Sequence, residues 1–251
     1  MANTGTLKAI PREFGMSIKS PAPVVNRLIE RLPRKDHNSL LSRCEPVDLE
    51  FGATLCEPDQ LCEYAYFPLT SYISQVEISS GHAPLEVNLI GNEGMLGVTL
   101  ILGVDGAPLR AVVQGTGSAL RMHRLALRNA IQDSPALLDI LQRYLYVMVT
   151  QLSQTTACTH FHEIEARLAR WLLLTHDRAH ADHFHLTHKV LADMLGVQRS
   201  AVTIAAGALQ KRKLIHYTRG EINILDRRGL EAATCECYAA VIDDYARQFS
   251  S

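Results

Sequence analysis

Thr187-His188-Lys189-Val190-Leu191-Ala192-Asp193-Met194-Leu195-Gly196-Val197-Gln198-Arg199-Ser200-Ala201-Val202-Thr203 is the stretch on which the fold turns. Thr187 can cap a helix, because its hydroxyl accepts a backbone N–H of the first turn. Ala192 is small where two helices must cross, and Gly196, four residues on, suits a tight turn that needs a positive φ. Val202, six residues further, then faces inward from a second helix. These three positions form the steric frame of a helix-turn-helix. Downstream, Lys211-Arg212-Lys213-Leu214-Ile215-His216-Tyr217-Thr218-Arg219-Gly220-Glu221-Ile222-Asn223-Ile224 alternates in two short runs around Arg219-Gly220. That pattern predicts a two-residue β-hairpin, a wing.

Charge collects in the same region. Between Leu186 and Arg228 stand Lys189, Arg199, Lys211, Arg212, Lys213, Arg219, Arg227 and Arg228 against Asp193, Glu221 and Asp226, whereas the whole 251-residue chain has a formal net charge of −1. A local basic face on a near-neutral chain suits a directed contact with DNA rather than indiscriminate polyanion binding. In a helix-turn-helix the start of the second helix enters the major groove, which places Gln198, Arg199, Ser200 and Thr203 nearest the bases. Arg199 is the candidate for a bidentate contact to guanine. Lys189, Lys211, Lys213 and Arg219 are candidates for phosphates, with a plain solvated charge as the alternative for each lysine. Thr187 completes the DNA-binding set.

Upstream, Leu138, Leu141, Leu145, Met148 and Leu152 recur at spacings of 3 and 4, the seam of a coiled coil. Leu137, Ile140, Tyr144 and Val147 run beside them as a second apolar row. A helix with two such rows can pack on its own domain and on a symmetry mate, so the first row is the expected interface of a homodimer. Burial of the helix in a monomer core is the alternative. Residues 161–175 predict another amphipathic helix, with Ile164, Leu168 and Trp171/Leu172 on one face. From Cys44 to Ala119, runs such as 47–51, 64–67, 72–78, 85–90 and 110–114 alternate or are β-rich between turn residues, predicting a small all-β barrel or jelly roll. Residues 1–34, with four prolines, read as a loosely attached arm with one short helix around Pro23 to Leu32. The expected class is α+β: an arm (1–34), a β-roll sensor domain (35–133), a dimerisation helix (134–160) and a winged helix-turn-helix domain with a C-terminal helix (161–251).

Composition narrows the rest. Hydrophobic residues make up 47% of the chain, enough for real cores. No apolar run approaches the roughly 18 residues that span a bilayer, and the N-terminus lacks a secretory signal, so a cytoplasmic protein without membrane contact is expected. The six cysteines, Cys44, Cys56, Cys62, Cys158, Cys235 and Cys237, are then expected as free thiols without a disulfide. On one helix Cys235 and Cys237 would point about 200° apart and chelate poorly together. His160, His162, His176, His180, His183, His185 and His188 crowd a short segment, and their i,i+4 and i,i+2 pairs can chelate a metal. Their polar setting reads instead as an exposed connector, and no metal site is assigned. No Gly-rich nucleotide loop, G-x-S-x-G elbow or H-E-x-x-H helix is present, so no enzyme is expected.

The order of a β-roll, a long dimer-type helix, the run Ile164-Glu165-Ala166-Arg167-Leu168-Ala169-Arg170-Trp171-Leu172, then helix-turn-helix and wing resembles the Crp/Fnr family of transcription regulators over residues 38–228. The resemblance implies a cyclic-nucleotide-binding-like fold for the N-terminal domain. Its phosphate-binding cassette falls on Ile90-Gly91-Asn92-Glu93-Gly94-Met95-Leu96-Gly97-Val98-Thr99-Leu100 and Arg110-Ala111, making Gly94, Gly97, Arg110 and Ala111 the candidate ligand-binding residues. Where the family's nucleotide binders carry a glutamate after the last glycine, this chain has Val98. A ribose hydroxyl would go unpaired there, so the implied effector is one other than cyclic AMP. Arg110 could equally serve a structural ion pair. The family's iron–sulfur branch carries cysteines near its N-terminus; this chain has none before Cys44, so no iron–sulfur cluster is expected, and the cofactor is otherwise unassigned. The expected function is a sequence-specific transcription regulator whose homodimer reads a near-palindromic site in double-stranded DNA, with RNA polymerase left open as a further partner. The alternative is a ligand- or metal-binding protein whose helix-turn-helix mediates protein contacts.

Overall fold

A computed structural model describes residues 24–249 apart from His82 and His180. Asn26 sets the first element. Its Oδ1 accepts the N–H groups of Leu28 and Ile29, capping α1 (Arg27–Glu30), while its Nδ2 donates to the carbonyls of Pro68 (3.1 Å) and Gly94 (2.8 Å). Leu28, Ile29 and Leu32 are buried in the same core as Phe67 and Leu127. The described part of the expected arm is therefore docked, not loose. Pro33 marks the break between the two short helices of this part, while its apolar triplet supplies the attachment; residues 1–23 lie outside the described residues. The short helix expected around Pro23 to Leu32 is α1, and α2 (Arg34–Leu41) follows it.

Seven strands make the β-roll: β1 (Glu45–Leu49), β2 (Thr54–Cys56), β3 (Tyr64–Pro68), β4 (Tyr72–Glu77), β5 (Leu85–Ile90), β6 (Arg110–Gly115) and β7 (Gly117–His123). They pair antiparallel in two sheets, β1-β7-β3 and β2-β6-β4-β5. Leu49, Tyr66, Ile73, Ile90 and Val113 belong to one apolar cluster between them. At the β6–β7 corner a Cβ on Gly115 would lie 1.9 Å from the Tyr72 ring, so only glycine lets the chain turn against that aromatic. Between β5 and β6 a 3-10 helix runs Val98–Leu102, entered through Gly97 at φ +96°.

Cys56 and Cys62 form a disulfide, which corrects the expectation of free thiols throughout. The intervening loop folds back so that Pro58 and Leu61 bridge to Ala107 and Gly106, leaving the two Cα atoms 5.8 Å apart, within disulfide reach. That approach is a property of the folded loop, which neither cysteine count nor compartment reveals. Cys44, Cys158, Cys235 and Cys237 are free thiols.

After α3 (Arg124–Asp133), Ser134 caps α4 (Pro135–Phe161) by accepting the Leu137 N–H (3.1 Å), with Pro135 opening the helix, a position where its missing donor costs nothing. Leu137, Ile140, Leu141, Tyr144 and Val147 are buried along α4. Leu138, Leu145, Met148 and Leu152 stay only partly covered, and Tyr146 and Val149 are exposed. Leu141, read from the sequence as part of the outer seam, thus belongs to the inner row.

The C-terminal unit comprises α5 (Ile164–Ala179), β8 (His183–His185), α6 (His188–Leu195), α7 (Arg199–Lys211), β9 (Ile215–Thr218), β10 (Glu221–Ile224), α8 (Arg227–Glu231) and α9 (Cys237–Phe249). Leu168, Leu172, Leu191, Val202, Leu209 and Ile222 anchor its core. The wing has a third strand, since β8 pairs with β10 in the order β8-β10-β9. α9 leaves this unit and packs along α4, carrying Tyr245 and Phe249 to the N-terminal core. The two halves also touch directly. The Trp171 indole donates to Glu86 (2.7 Å), the Ser74 hydroxyl donates to the same carboxylate, and Arg178 pairs with Glu93 at 2.7 Å. No helix among the described residues is long and apolar enough to cross a membrane.

Candidate nucleic-acid interface and β-roll cavity

The helix-turn-helix follows from local sterics. Thr187 Oγ1 accepts the Val190 N–H at 3.3 Å and starts α6. Gly196 ends it at φ +64°, its N–H donating to the Asp193 carbonyl (3.2 Å), a left-handed cap that glycine adopts without a Cβ penalty. Ala192 and Val202 are both buried where α6 and α7 meet. Beyond the crossing, α7 turns Arg199, Ser200, Thr203, Ile204 and Gly207 to solvent, positions that lie along one side of a helix of 3.6 residues per turn. Gln198 precedes them at the N-cap, exposed and making no side-chain cap bond.

The wing turn has both central residues at positive φ, Arg219 at +49° and Gly220 at +89°, with Thr218 opposite Glu221. This is the I′-type geometry whose twist matches the flanking strands. Lys213, at φ +58°, takes the left-handed position just beyond α7. Thr187, Lys189, Gln198, Arg199, Ser200, Thr203, Lys211, Lys213 and Arg219 are all exposed. Lys189 pairs with Asp193 at 2.9 Å.

Two further residues, His188 and Ile204, belong to this surface. His188 stacks on Tyr217 of the wing, with ring centroids 4.1 Å apart at 18°, and its Nδ1 lies 2.9 Å from Thr203 Oγ1 on α7. One imidazole thereby ties α6, α7 and β9 together. Burial, and after it the neighbouring Arg199 guanidinium, holds its pKa below the usual histidine value. Both effects favour the neutral ring. Ile204, 73% exposed on α7, is the one missing from the sequence-derived set; its signal was an apolar side chain on the polar side of the second helix.

The cassette residues disperse. Gly94 abuts α4, where a Cβ would lie 2.3 Å from the Tyr144 hydroxyl. Arg110 Nε meets Glu57 Oε2 at 2.8 Å, the ion-pair alternative, and Ala111 is fully buried in β6. Gly97 lines a cavity of about 60 Å³ together with Cys56, Cys62, Val98, Met148 and Leu152. No ionic side chain reaches its wall, and its volume lies far below the roughly 300 Å³ of common ligand pockets.

The histidine-rich segment also disperses: His176 meets Asp182 (2.7 Å), His185 meets Glu221 (2.7 Å), and His183 points to solvent. His180 lies outside the described residues. Cys235 and Cys237 do not share a helix, contrary to expectation: α9 begins at Cys237 and Cys235 precedes it, so a helical 200° separation does not apply to the pair. At the interface between the halves, desolvation pushes the fully buried Glu86 carboxyl up to about 7, against the lowering effects of Ser74, Trp171, Arg178 and Arg170.

A family model of the Crp-like helix-turn-helix domain matches residues 166–233. No curated protein matches the sequence. Among solved structures, one assigned to the Crp/Fnr regulators from Eubacterium rectale aligns with a TM-score of 0.65 at 14% identity, covering 82% of this chain and 97% of that one. FixK2 from Bradyrhizobium japonicum gives a TM-score of 0.65 at 16% identity over 76% of this chain and 98% of its own. The c-di-GMP-responsive regulator CLP of Xanthomonas campestris gives 0.63 at 14% identity, over 76% and 99%. At these identities the likeness is one of fold, and it spans both halves of the molecule.

Proposed function

We propose that this chain is a DNA-binding transcription regulator of the Crp/Fnr family and works as a homodimer that offers two copies of α7 to a near-palindromic site with half-sites one helical turn apart. The observation that carries the reading is the exposed row Arg199, Ser200, Thr203 and Ile204 on a helix held by a left-handed glycine turn. Arg199 reads a guanine, Ile204 meets a thymine methyl, and Lys189, Lys211, Lys213 and Arg219 meet phosphates. Gln198 and Thr187 flank the groove-facing end.

The second copy covers the outer side of α4, where Leu138, Leu145, Met148 and Leu152 are half-buried and Tyr146 and Val149 exposed. Met148 and Leu152 also line the β-roll cavity, so an occupant there would touch the dimer helix. The cavity's size and uncharged wall support a small apolar effector in place of cyclic AMP.

Footprinting on genomic fragments, with sedimentation at the same concentrations, tests the reading. Discrete protected sites with two-fold symmetry and a dimer are expected, and Leu145→Glu should yield a monomer with weakened protection. A monomer that protects no discrete site refutes it.

A further inference from the structure

Outside the recognition surface, four metal-ligating side chains converge on one point. Cys158 lies on the last turns of α4, His162 is the residue that caps that helix, and Cys235 and Cys237 flank the start of α9. Their ligand atoms, three Sγ and one imidazole nitrogen, all lie within 4.8 Å of one another. Cys158 Sγ is 3.6 Å from Cys235 Sγ, and Cys237 Sγ is 3.4 Å from His162 Nδ1. A tetrahedral zinc ion with Zn–S near 2.3 Å and Zn–N near 2.0 Å sets neighbouring ligand atoms about 3.5–3.8 Å apart. These two separations fit that spacing and the others lie within 4.8 Å, whereas a disulfide would need sulfurs at about 2.05 Å.

The surroundings fit an ion as well. His162 turns its other nitrogen, Nε2, to Glu236 Oε1 at 3.1 Å, the carboxylate–histidine arrangement that fixes the tautomer of a metal-bound imidazole. The carboxylate comes from the residue between the two cysteines, so one short segment supplies two ligands and the support for a third. Arg167 and Arg170 share a cleft wall with Cys158, and Arg170 Nε is buried without a hydrogen-bond partner among the described residues. Three thiolates and a neutral imidazole around a divalent cation leave one net negative charge, which these guanidiniums face. Packing of small apolar groups would account for three buried thiols; it gives no reason for the oriented histidine.

The geometry points to a closed Cys158–His162–Cys235–Cys237 site for one thiophilic divalent cation, Zn²⁺ by its S₃N donor set and tetrahedral spacing. All four positions are filled by protein, so the site is structural rather than catalytic. It would clamp the elbow between α4 and α5 to the start of α9, at the junction of the dimer helix and the DNA-binding unit. Binding releases the protons of the three thiols to solvent.

The test is cobalt(II) titration of the reduced, chelator-stripped full-length protein, followed by displacement with Zn²⁺. One equivalent of Co²⁺ should develop the intense visible bands of tetrahedral thiolate ligation, and Zn²⁺ should abolish them stoichiometrically. The paired change Cys56→Ser with Cys62→Ser, and Cys44→Ser, should leave the titration unaltered, while Cys235→Ser should lose the bands. Glu236→Gln, on an exposed side chain, should weaken binding by about 10- to 100-fold while the bands keep their shape. Absence of tetrahedral bands in the wild-type protein, or their persistence in Cys235→Ser, would overturn the assignment. Neither readout involves DNA, so the site stands or falls apart from the regulatory function.

Discussion

Two sets of charged and polar groups in this protein are treated in opposite ways. Between the halves, Glu86 and Arg178 are buried and Glu93 is partly buried, and each has a partner from the other half. On the recognition surface, Arg199, Lys211, Lys213 and Arg219 are exposed, and none of them occurs in an ion pair among the described residues. The buried set fixes where the domains sit, at a high electrostatic cost if any partner is lost. The exposed set contributes little to folding and is available to a polyanion. Stability and recognition are thus written in different residues, and substitutions should separate them.

The largest effect is expected from Arg178→Met. It strands Glu93 in a nearly buried position and should cost about 3–5 kcal/mol in urea denaturation, leaving the sequence preference of the surviving folded protein unchanged. A loss below about 1 kcal/mol would place the pair among ordinary surface bridges. Next in size is a pH effect from Glu86. Its folded pKa, about 7, exceeds the ordinary carboxyl value of 4.5, so the folded state binds the proton more tightly. The favourable contribution is full below pH 4.5 and is lost as pH rises through 7, a change of about 3 kcal/mol. Glu86→Gln can still accept the Trp171 N–H; it should flatten this part of the stability–pH profile and raise stability at pH 8.

On the exposed side the sizes fall and the readout changes. Arg199→Ala should weaken specific binding by about 1–3 kcal/mol, roughly 5- to 150-fold, and relax preference at one base pair, with the melting temperature unmoved. Equal weakening on every sequence would demote Arg199 to a phosphate contact. The smallest and sharpest case is Lys213→Gly. Glycine relieves the left-handed backbone beyond α7 and should stabilise the fold by about 1 kcal/mol. Loss of the charge should lower the salt-dependence slope of DNA binding by about 0.9. Here one position moves the two properties in opposite directions.

The exposed set was legible in the sequence because its geometry is local. The spacing of Ala192, Gly196 and Val202, and the Arg219-Gly220 turn, constrain the backbone within a few residues, and the structure follows them. The strand runs of the β-roll were equally readable from alternation, although β2 and β7 were not delimited, being a three-residue edge and a strand with glycine at its start. What escaped was set by distant chain closure. Cys158 and Cys235 are 77 residues apart, and nothing near either predicts their approach. The Cys56–Cys62 bridge depends on a loop folding against Gly106 and Ala107. His188 was noticed for its chemistry, yet its place between Thr203 and Tyr217 needed the wing in position. The docking of residues 24–34 escaped because the anchor, Asn26, works through the carbonyls of Pro68 and Gly94 far along the chain.

The contact between Trp171 and Glu86 has one more consequence. Trp171 is the only tryptophan in the chain, and its indole N–H crosses from the helix-turn-helix half to a carboxylate of the β-roll half at 2.7 Å. Its emission therefore originates at the seam between the two halves, and exposure of that indole to water would shift the light to longer wavelength. The molecule carries its own optical gauge of domain separation, readable in solution without a label.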